Sequence, residues 1–587
     1  MQRGLAAPAC VLALAWPGPA AAAAGMAGGS AGLTWTAAAL VLMSGIAGLI
    51  LLGRRAPSGR LGAGLLPREG AGWGARLVRR AMALLQTRRG SGAVVGGALC
   101  LGLLLRLLTL GSRPLWVDEA GSWGYGLLDA DTLINVMGRL ELTPPGYYLA
   151  VGAWMQLGGD GVFWLRLPSA LLGAAAILPF SLFLRRAFGT AAAAWGAVLL
   201  ALAGAAVHYA QEARVYSALL FLFVLGLMLA ERLVATTGAR RWWLAAGLAL
   251  VTGVMIHLHF TSIFAAATFH VYALALLAQR RSPVAAWLPV FASGLGGLLL
   301  AAPVLWLALA IAGNTTGAAY WMPVPGPQEA WLEFRNALLA PQLERIALPG
   351  ALLSLLALGS CLWVGRRNPQ IRALSVAFVF AVAAVWGISQ VTPILMDRTI
   401  LFTLALYLAV LAGGLASFRR PLLVALVVVA ALAPQAKGTL NHLRSTTFYG
   451  EAWDSLAAQL DREARPGEAI MAIGAFEAVA LDYQFRNGGT LRTTVAVGDA
   501  EQGVNTVAIR LMTDAVALPG SLLGRKTLCQ AVGGAPAIWL VSREIAAYPE
   551  FYAGVERVLR ETGSLPLSLD THGTLMLQRW SAPTRCD

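Results

Sequence analysis

Lysine is nearly missing from this chain: Lys437 and Lys526 are the two it has in 587 residues. Charge of either sign is scarce. Charged residues make up 12% of the chain and hydrophobic residues 58%, whereas soluble domains carry about a quarter charged residues. That excludes an ordinary soluble protein. The basic excess is arginine, and it gives a formal net charge of +15. A nucleic-acid partner would need that charge gathered on one basic face. Here the arginines fall between apolar segments, so no nucleic-acid partner is expected. Cysteine is sparse as well. None of Cys10, Cys100, Cys361, Cys529 and Cys586 forms a CxxC or a Cys/His metal spacing. Cys100 and Cys361 sit in apolar runs and read as packing residues. Cys529 and Cys586 both fall in the polar C-terminal part, where a disulfide is open to them. There is no Gly-rich nucleotide fingerprint and no internal repeat.

What is abundant is long apolar sequence. Residues 1–25 combine Arg3, an apolar stretch and Ala20–Ala24 before Gly25. That is the pattern of a candidate signal peptide, or of a short uncleaved membrane helix. A span follows at about 33–53. Residues 54–91 then carry Arg54, Arg55, Arg60, Arg68, Arg76, Arg79, Arg80, Arg88 and Arg89 against one acid, Glu69. By the positive-inside rule this linker is cytoplasmic. Further spans, each long enough for a bilayer helix, read at about 92–112, 162–184, 190–207, 215–231, 242–256, 262–279, 284–312, 347–365, 372–391, 399–417 and 421–436. Alternate connections are basic, at Arg185-Arg186, Arg232 with Arg240-Arg241, Arg280-Arg281, Arg366-Arg367 with Arg372, and Arg419-Arg420. The other connections, 113–161, 208–214, 257–261, 313–346 and 392–398, then face the periplasm or exterior, as does the tail.

The expected fold class is a polytopic α-helical membrane protein of about 11–12 transmembrane helices with a C-terminal periplasmic α/β domain. In the tail, 451–464 reads as an amphipathic helix, 469–473 and 537–541 as buried strands, 548–561 as a helix and 574–578 as a last strand. The domains are 1–25 (candidate signal peptide), 26–91 (extra span and basic linker), 92–436 (transmembrane catalytic module) and 437–587 (α/β domain).

The outward connections hold an unusual set of polar groups. Arg113-Pro-Leu-Trp-Val-Asp118-Glu119-Ala-Gly-Ser-Trp123 puts two carboxylates just beyond a span. Acids in such a protein are expensive and usually functional, though a solvated loop with interfacial tryptophans is the plain alternative. Then come Glu141-Leu-Thr-Pro-Pro-Gly-Tyr147-Tyr148, Phe163-Trp-Leu-Arg166-Leu-Pro-Ser169 and His208-Tyr-Ala-Gln211-Glu212-Ala-Arg214-Val-Tyr216. His257-Leu-His259 and Thr392-Pro-Ile-Leu-Met-Asp397-Arg398 follow. In a helical turn His208, Gln211 and Glu212 would share a face, positioning sugar or metal or forming a capping network. His259 is either functional or a packed helix-end histidine. Glu141 reads as a second acid of the site.

This ordered set resembles the GT-C membrane glycosyltransferases, in the branch of the dolichyl-phosphate-mannose–protein mannosyltransferases and the lipid A aminoarabinose transferases. The matching elements are Asp-Glu after the first core span, Pro-Pro-x-Tyr-Tyr, Arg-x-Pro-Ser, Glu-Ala-Arg-x-Tyr, and a soluble tail opening near Trp453. The resemblance covers about residues 92–580. Thr143 stands where a His or Asp often precedes the Pro-Pro element, and Arg398-Thr399 where Arg-Tyr is usual. The span at about 33–53 lies outside the usual core. The resemblance implies transfer of a sugar from a polyprenyl-phosphate donor to an acceptor hydroxyl on a protein, lipid or glycan, at the periplasmic face of a bacterial inner membrane.

The residues suit that chemistry on their own terms. An attacking hydroxyl needs a base, which an outward carboxylate supplies. The leaving polyprenyl phosphate is already anionic and needs cations rather than an acid. Arg214 and Arg398 suit its oxygens because guanidinium binds them bidentately. Asp118 is the expected base. Glu119 is expected to orient substrate or, with Asp118, to help hold a divalent cation such as Mg²⁺ or Mn²⁺. Glu141, Tyr147, Tyr148, Arg166, His208, Gln211, Glu212, Arg214, Tyr216, His259 and Arg398 are the expected substrate-binding residues. A multi-span transporter and an oligosaccharide ligase are the alternative readings. Carriers usually show two related halves, which this chain lacks.

Overall fold

The computed structural model describes residues 80, 82–140, 144–314, 324–339, 347–418, 420–486, 491–498, 513–543 and 549–586. The candidate signal peptide, the span at about 33–53, most of the basic linker and Glu141 lie outside them. Everything below concerns one compact unit, Leu85–Asp587.

Helix α1 (Arg88–Leu107) starts where Thr87 caps Gly90 N through its hydroxyl, at 3.0 Å. Three shorter helices follow in the connection: α2 (Val117–Gly126), α3 (Ala130–Leu140) and α4 (Gly146–Gly158). Helices α5 (Val162–Ala175) and α6 (Ile177–Phe188) together make one span of 27 residues. Then come α7 (Thr190–Leu202) and α8 (Gly204–Ala210), α9 (Tyr216–Ala235), α10 (Arg240–Leu258), α11 (Ser262–Gln279), α12 (Leu288–Leu300) and α13 (Ala302–Asn314). The bundle closes with α14 (Pro327–Leu338), α15 (Ala347–Gly365), α16 (Pro369–Ile388), α17 (Phe402–Ser417) and α18 (Pro421–Arg444). Among the described residues, eight helices are long and apolar enough to cross a membrane, or up to ten if each of two bent pairs is one span. With α17, which is shorter and buried from Phe402 to Leu415, each of the eleven spans expected beyond residue 92 has a helical counterpart.

Two of those spans are broken. Helices α7 and α8 meet at 56°, with Ala203 extended between them. The freed backbone groups are taken up by buried polar side chains. Arg106 donates to the carbonyls of Leu200 and Ala201, Thr439 donates to that of Leu202, and Gln435 accepts from Gly204 N. This is how a membrane-depth break stays affordable. The second break bends 61° between Val284–Leu300 and Ala302–Leu309. Pro303 sits at its start, where it cannot continue the preceding ladder.

The tail folds as a six-stranded sheet around β1 (Ala469–Ile473). Its elements run α19 (Trp453–Glu463), β1, α20 (Ala475–Phe485), β2 (Val495–Gly498), β3 (Val516–Pro519), α21 (Arg525–Val532), β4 (Ala537–Arg543), α22 (Pro549–Glu561), β5 (Pro566–His572) and β6 (Leu575–Ser581). The order is β3-β2-β1-β4-β6-β5, with the first four strands parallel and the hairpin antiparallel. Met471 of β1 lies between Val495 and Leu540. Such strands are covered on both faces and so read as continuous apolar runs. Cys529 on α21 is bonded to Cys586, tying the last residues to the domain. One face of this sheet shares a hydrophobic core with α2 and α4.

Candidate active site

The connections that arginine alternation assigns to one side all reach the neighbourhood of Asp118. The reason begins with α2. Its first turn carries Asp118 and Glu119, favourable at a helix N-terminus. Glu119 reaches back to Trp116 N at 3.3 Å, as an acidic residue at that position does in a capping box. The two side chains then diverge. Glu119 is 0% exposed and Asp118 23%.

Glu119 and Arg166 form a buried bidentate pair, with contacts of 2.8 and 2.6 Å. Glu119 also accepts from Ala213 N at 2.6 Å, which pulls the 211–215 turn against α2. Arg166 spends its other N–H groups on the carbonyls of Leu110, Arg113 and Pro114. Both side chains are used up inside the protein. The sequence expected Glu119 to meet substrate or a cation, and Arg166 to bind substrate; the structure instead makes them a strut. Gln211 differs in the same way. It is buried and donates to the carbonyls of Leu105, Arg106 and Leu108, satisfying the open end of α1.

Asp118 points the other way, towards two arginines. Its Oδ2 lies 3.3 Å from Arg398 Nη1 and 3.8 Å from Arg214 Nη2. Arg214 is oriented by the Asp118 carbonyl and Ser122 Oγ, each at 3.2 Å, with Tyr148 Oη at 3.5 Å. Tyr147 packs edge-on against Tyr148, and the Tyr216 ring lies 5.9 Å from the Arg214 guanidinium. Arg398 stands over the Trp116 ring at 5.6 Å. Burial would lower the Arg398 pKa, but Tyr216, Asp118 and Tyr449 outweigh it and hold the value above the usual range. His259 sits beside both arginines. Burial, then Arg214 and Arg398, push it down to about 3, so its imidazole is neutral.

Next to this trio lies a buried polar network. His208 Nε2 contacts Glu212 Oε1 at 3.0 Å, and Tyr449 donates to the same oxygen at 3.1 Å. The Nδ1 atoms of His208 and His442 face each other at 3.0 Å, so one carries the proton and the other accepts it. Arg113 holds His442 and the carbonyls of His442 and Ser445. On the far side of Arg398, Glu333 of α14 accepts from Asp397 N at 2.6 Å. Burial, then Asp397, push Glu333 up to about 7. Three buried atoms here have no hydrogen-bond partner: Trp116 Nε1, Glu212 Oε2 and Arg214 Nε. Such atoms are rare, and a substrate is one explanation for them.

His442, Tyr449, Glu333 and Asp397 were not expected as site residues. Asp397 stood in a motif already singled out, and acids beside Arg398 were its signal. The other three lie in stretches with no motif. Among the described residues no group of three or more His, Cys, Asp and Glu could hold a metal ion. Glu119 is spent on Arg166 and Asp118 faces two cations, so this donor set does not fit a divalent cation.

Residues 142–307 match the family model of the dolichyl-phosphate-mannose-protein mannosyltransferases. Among solved structures, the chain is similar to ArnT from Cupriavidus metallidurans in the apo state, with TM-score 0.58 and 14% identity over 84% of this chain and 98% of that one. ArnT of the same organism bound to undecaprenyl phosphate gives TM-score 0.52 and 16% identity, over 83% and 98%. The family match is confined to 142–307, and across most of the chain the likeness to ArnT is one of fold. The GT-C-like fold read from the sequence motifs stands. No curated protein sequence matches the chain.

Proposed function

We propose that this protein is a GT-C glycosyltransferase that moves a sugar from a polyprenyl-phosphate donor to an acceptor hydroxyl at the periplasmic face of a bacterial inner membrane. The observation that carries the reading is Asp118 held between Arg214 and Arg398, at 3.8 and 3.3 Å. It is supported by the family match over 142–307 and by the fold shared with ArnT bound to undecaprenyl phosphate.

The arrangement orders the chemistry. Without donor, the Asp118 carboxylate is engaged by the two guanidiniums. A donor phosphate competes for the same arginines, which bind it through paired N–H groups. Asp118 is then released from its cationic partners and is free to meet the acceptor hydroxyl. It takes the acceptor's proton as the hydroxyl attacks the anomeric carbon. The bond to the phosphate oxygen breaks, and the phosphate leaves stabilised by Arg214 and Arg398. Tyr147, Tyr148, Tyr216, His208, Glu212 and neutral His259 surround this point as sugar-facing groups. Glu141 completes the proposed acids. The acceptor is a protein, lipid or glycan hydroxyl.

The test is to supply the purified full chain in vesicles with radiolabelled polyprenyl-phosphate sugars and envelope acceptors. Label moving from the lipid to an acceptor is expected. Release of no label from any polyprenyl-phosphate sugar would overturn the reading.

A further inference from the structure

Helix α2 carries Asp118, but its position is fixed largely from the other end of the sequence. Glu451, at the entrance to the C-terminal domain, is 2% exposed. Its Oε2 accepts from Val117 N, the first N–H of α2, at 2.8 Å across 334 residues. Trp116, at the N-cap position, makes no side-chain cap bond there, so Glu451 supplies the cap in its place. A carboxylate at this end is favoured by the open N–H groups and by the helix dipole.

Glu451 is itself held. Trp453 Nε1 donates to Oε2 at 2.8 Å, and Arg543 Nη1 donates to Oε1 at 3.1 Å. Arg543, the last residue of β4, also pairs with Glu477 at 3.2 Å. The chain arrives at Glu451 through Tyr449 and Gly450, both left-handed, with φ 52° and 78°. A tyrosine in that region is uncommon and strained. The turn aims Tyr449 at His208 and Glu212 and, two residues later, aims Glu451 at α2.

The domain grips α2 at two further points. Phe476 of α20 packs so closely on Gly121 that a Cβ there would lie 2.8 Å from its ring. Asp160 Oδ2 receives Trp123 Nε1 of α2 and Arg486 Nε of the domain, each at 3.0 Å, and Tyr483 Oη donates to the Asp160 carbonyl. Start, middle and end of α2 are each fixed by the tail.

We infer that the C-terminal domain is the positioning element of the reaction centre, with Glu451 as the positioning residue that sets Asp118 against its arginines. This rests on the reading of Asp118 as the base. A displacement of about 1 Å at a reacting group costs around a hundredfold in rate, so loss of the cap acts on turnover more than on donor binding.

The experiment uses the full chain in nanodiscs, with Glu451→Ala and Glu451→Gln. Amide exchange over 115–121 and steady-state sugar transfer are measured on both. Glu451→Ala is expected to speed exchange in that segment and lower kcat by about 10- to 100-fold, with donor KM within about threefold. Glu451→Gln keeps a neutral acceptor, which binds about half as strongly as a carboxylate. It is expected to change both readouts in the same direction and by less. If Glu451→Ala does not insert, Glu451→Gln decides alone. Unchanged exchange, or faster exchange with unchanged kcat, overturns the proposal. Asp118→Asn is assayed alongside. If it is active, the base assignment fails while the exchange data still test the cap. If it is inactive and the Glu451 variants turn over normally, only the positioning role fails.

Discussion

Asp118 and Glu119 are neighbours in sequence and about 100° apart on α2, and that angle separates their roles. Glu119→Gln leaves Arg166 as an uncompensated buried charge, which costs about 3–5 kcal/mol. A lower melting temperature in detergent is expected, and added Mg²⁺ should not restore it. An unchanged melting temperature would contradict the strut assignment. Arg214→Ala and Arg398→Ala are expected to weaken donor use strongly while the protein still inserts, with lysine rescuing in part because it lacks the planar fork. Normal donor turnover in both alanine variants would remove their electrostatic role. Glu333 gives a pH signature. Its value in the folded protein, about 7, exceeds its reference of 4.5. Between those values the folded state binds more protons than the unfolded chain, so this group's contribution to stability falls as pH rises. Glu333→Gln removes that loss. Its melting temperature relative to wild type is expected to be higher at about pH 8 than at about pH 5; a constant difference would show that Glu333 does not titrate this way. Asp118, Arg214 and Arg398 were legible because membrane economy makes outward charges conspicuous. Glu333, His442, Tyr449 and Glu451 were not. Each works through a partner dozens to hundreds of residues away, and only the fold brings those partners together.

At the scale of elements, apolar length located the spans, because a bilayer imposes one on its helices. It did not locate the breaks. The α7/α8 bend depends on Arg106, Gln435 and Thr439 from other helices, and nothing in 190–207 itself announces it. The α12/α13 bend had a local signal in Pro303. In the tail, α19, β1, β4, α22 and β6 were read near their observed bounds. Helices α20 and α21 and strands β2, β3 and β5 were missed. Strand β5 is exposed along most of its length, so it carries no apolar run, and β2 and β3 are only four residues long. Gln435→Ala is expected to destabilise the α7/α8 junction, because Gly204 N and the Leu338 carbonyl both lose a buried partner. Faster amide exchange at 203–206 checks this, and unchanged exchange would show the junction holds without Gln435.

At the scale of the molecule, residues on five connections and the tail gather near Asp118, which is what alternate arginine-rich ends require of the topology. Reporter fusions after Arg89, Arg281 and Arg367 are expected to report cytoplasm, and fusions after Gly326 and Gly488 periplasm. A periplasmic signal after Arg89 would overturn the proposed orientation. The Cys529–Cys586 bond closes a separation of 57 residues. Replacing both cysteines with serine is expected to cost the tail about 2–5 kcal/mol, read as a lower midpoint in limited proteolysis. An unchanged midpoint would show that the bond does not stabilise the tail.

The central claim is that Asp118 takes the acceptor's proton once donor phosphate occupies Arg214 and Arg398. The most direct measurement is single-turnover sugar transfer by Asp118→Asn in vesicles, with donor binding measured on the same sample. Asparagine keeps the size and much of the hydrogen bonding but accepts no proton. The account predicts donor binding at or above the wild-type level, because a competing carboxylate is gone, and transfer slower by about 10²–10⁴-fold. Transfer at the wild-type rate by Asp118→Asn would contradict it.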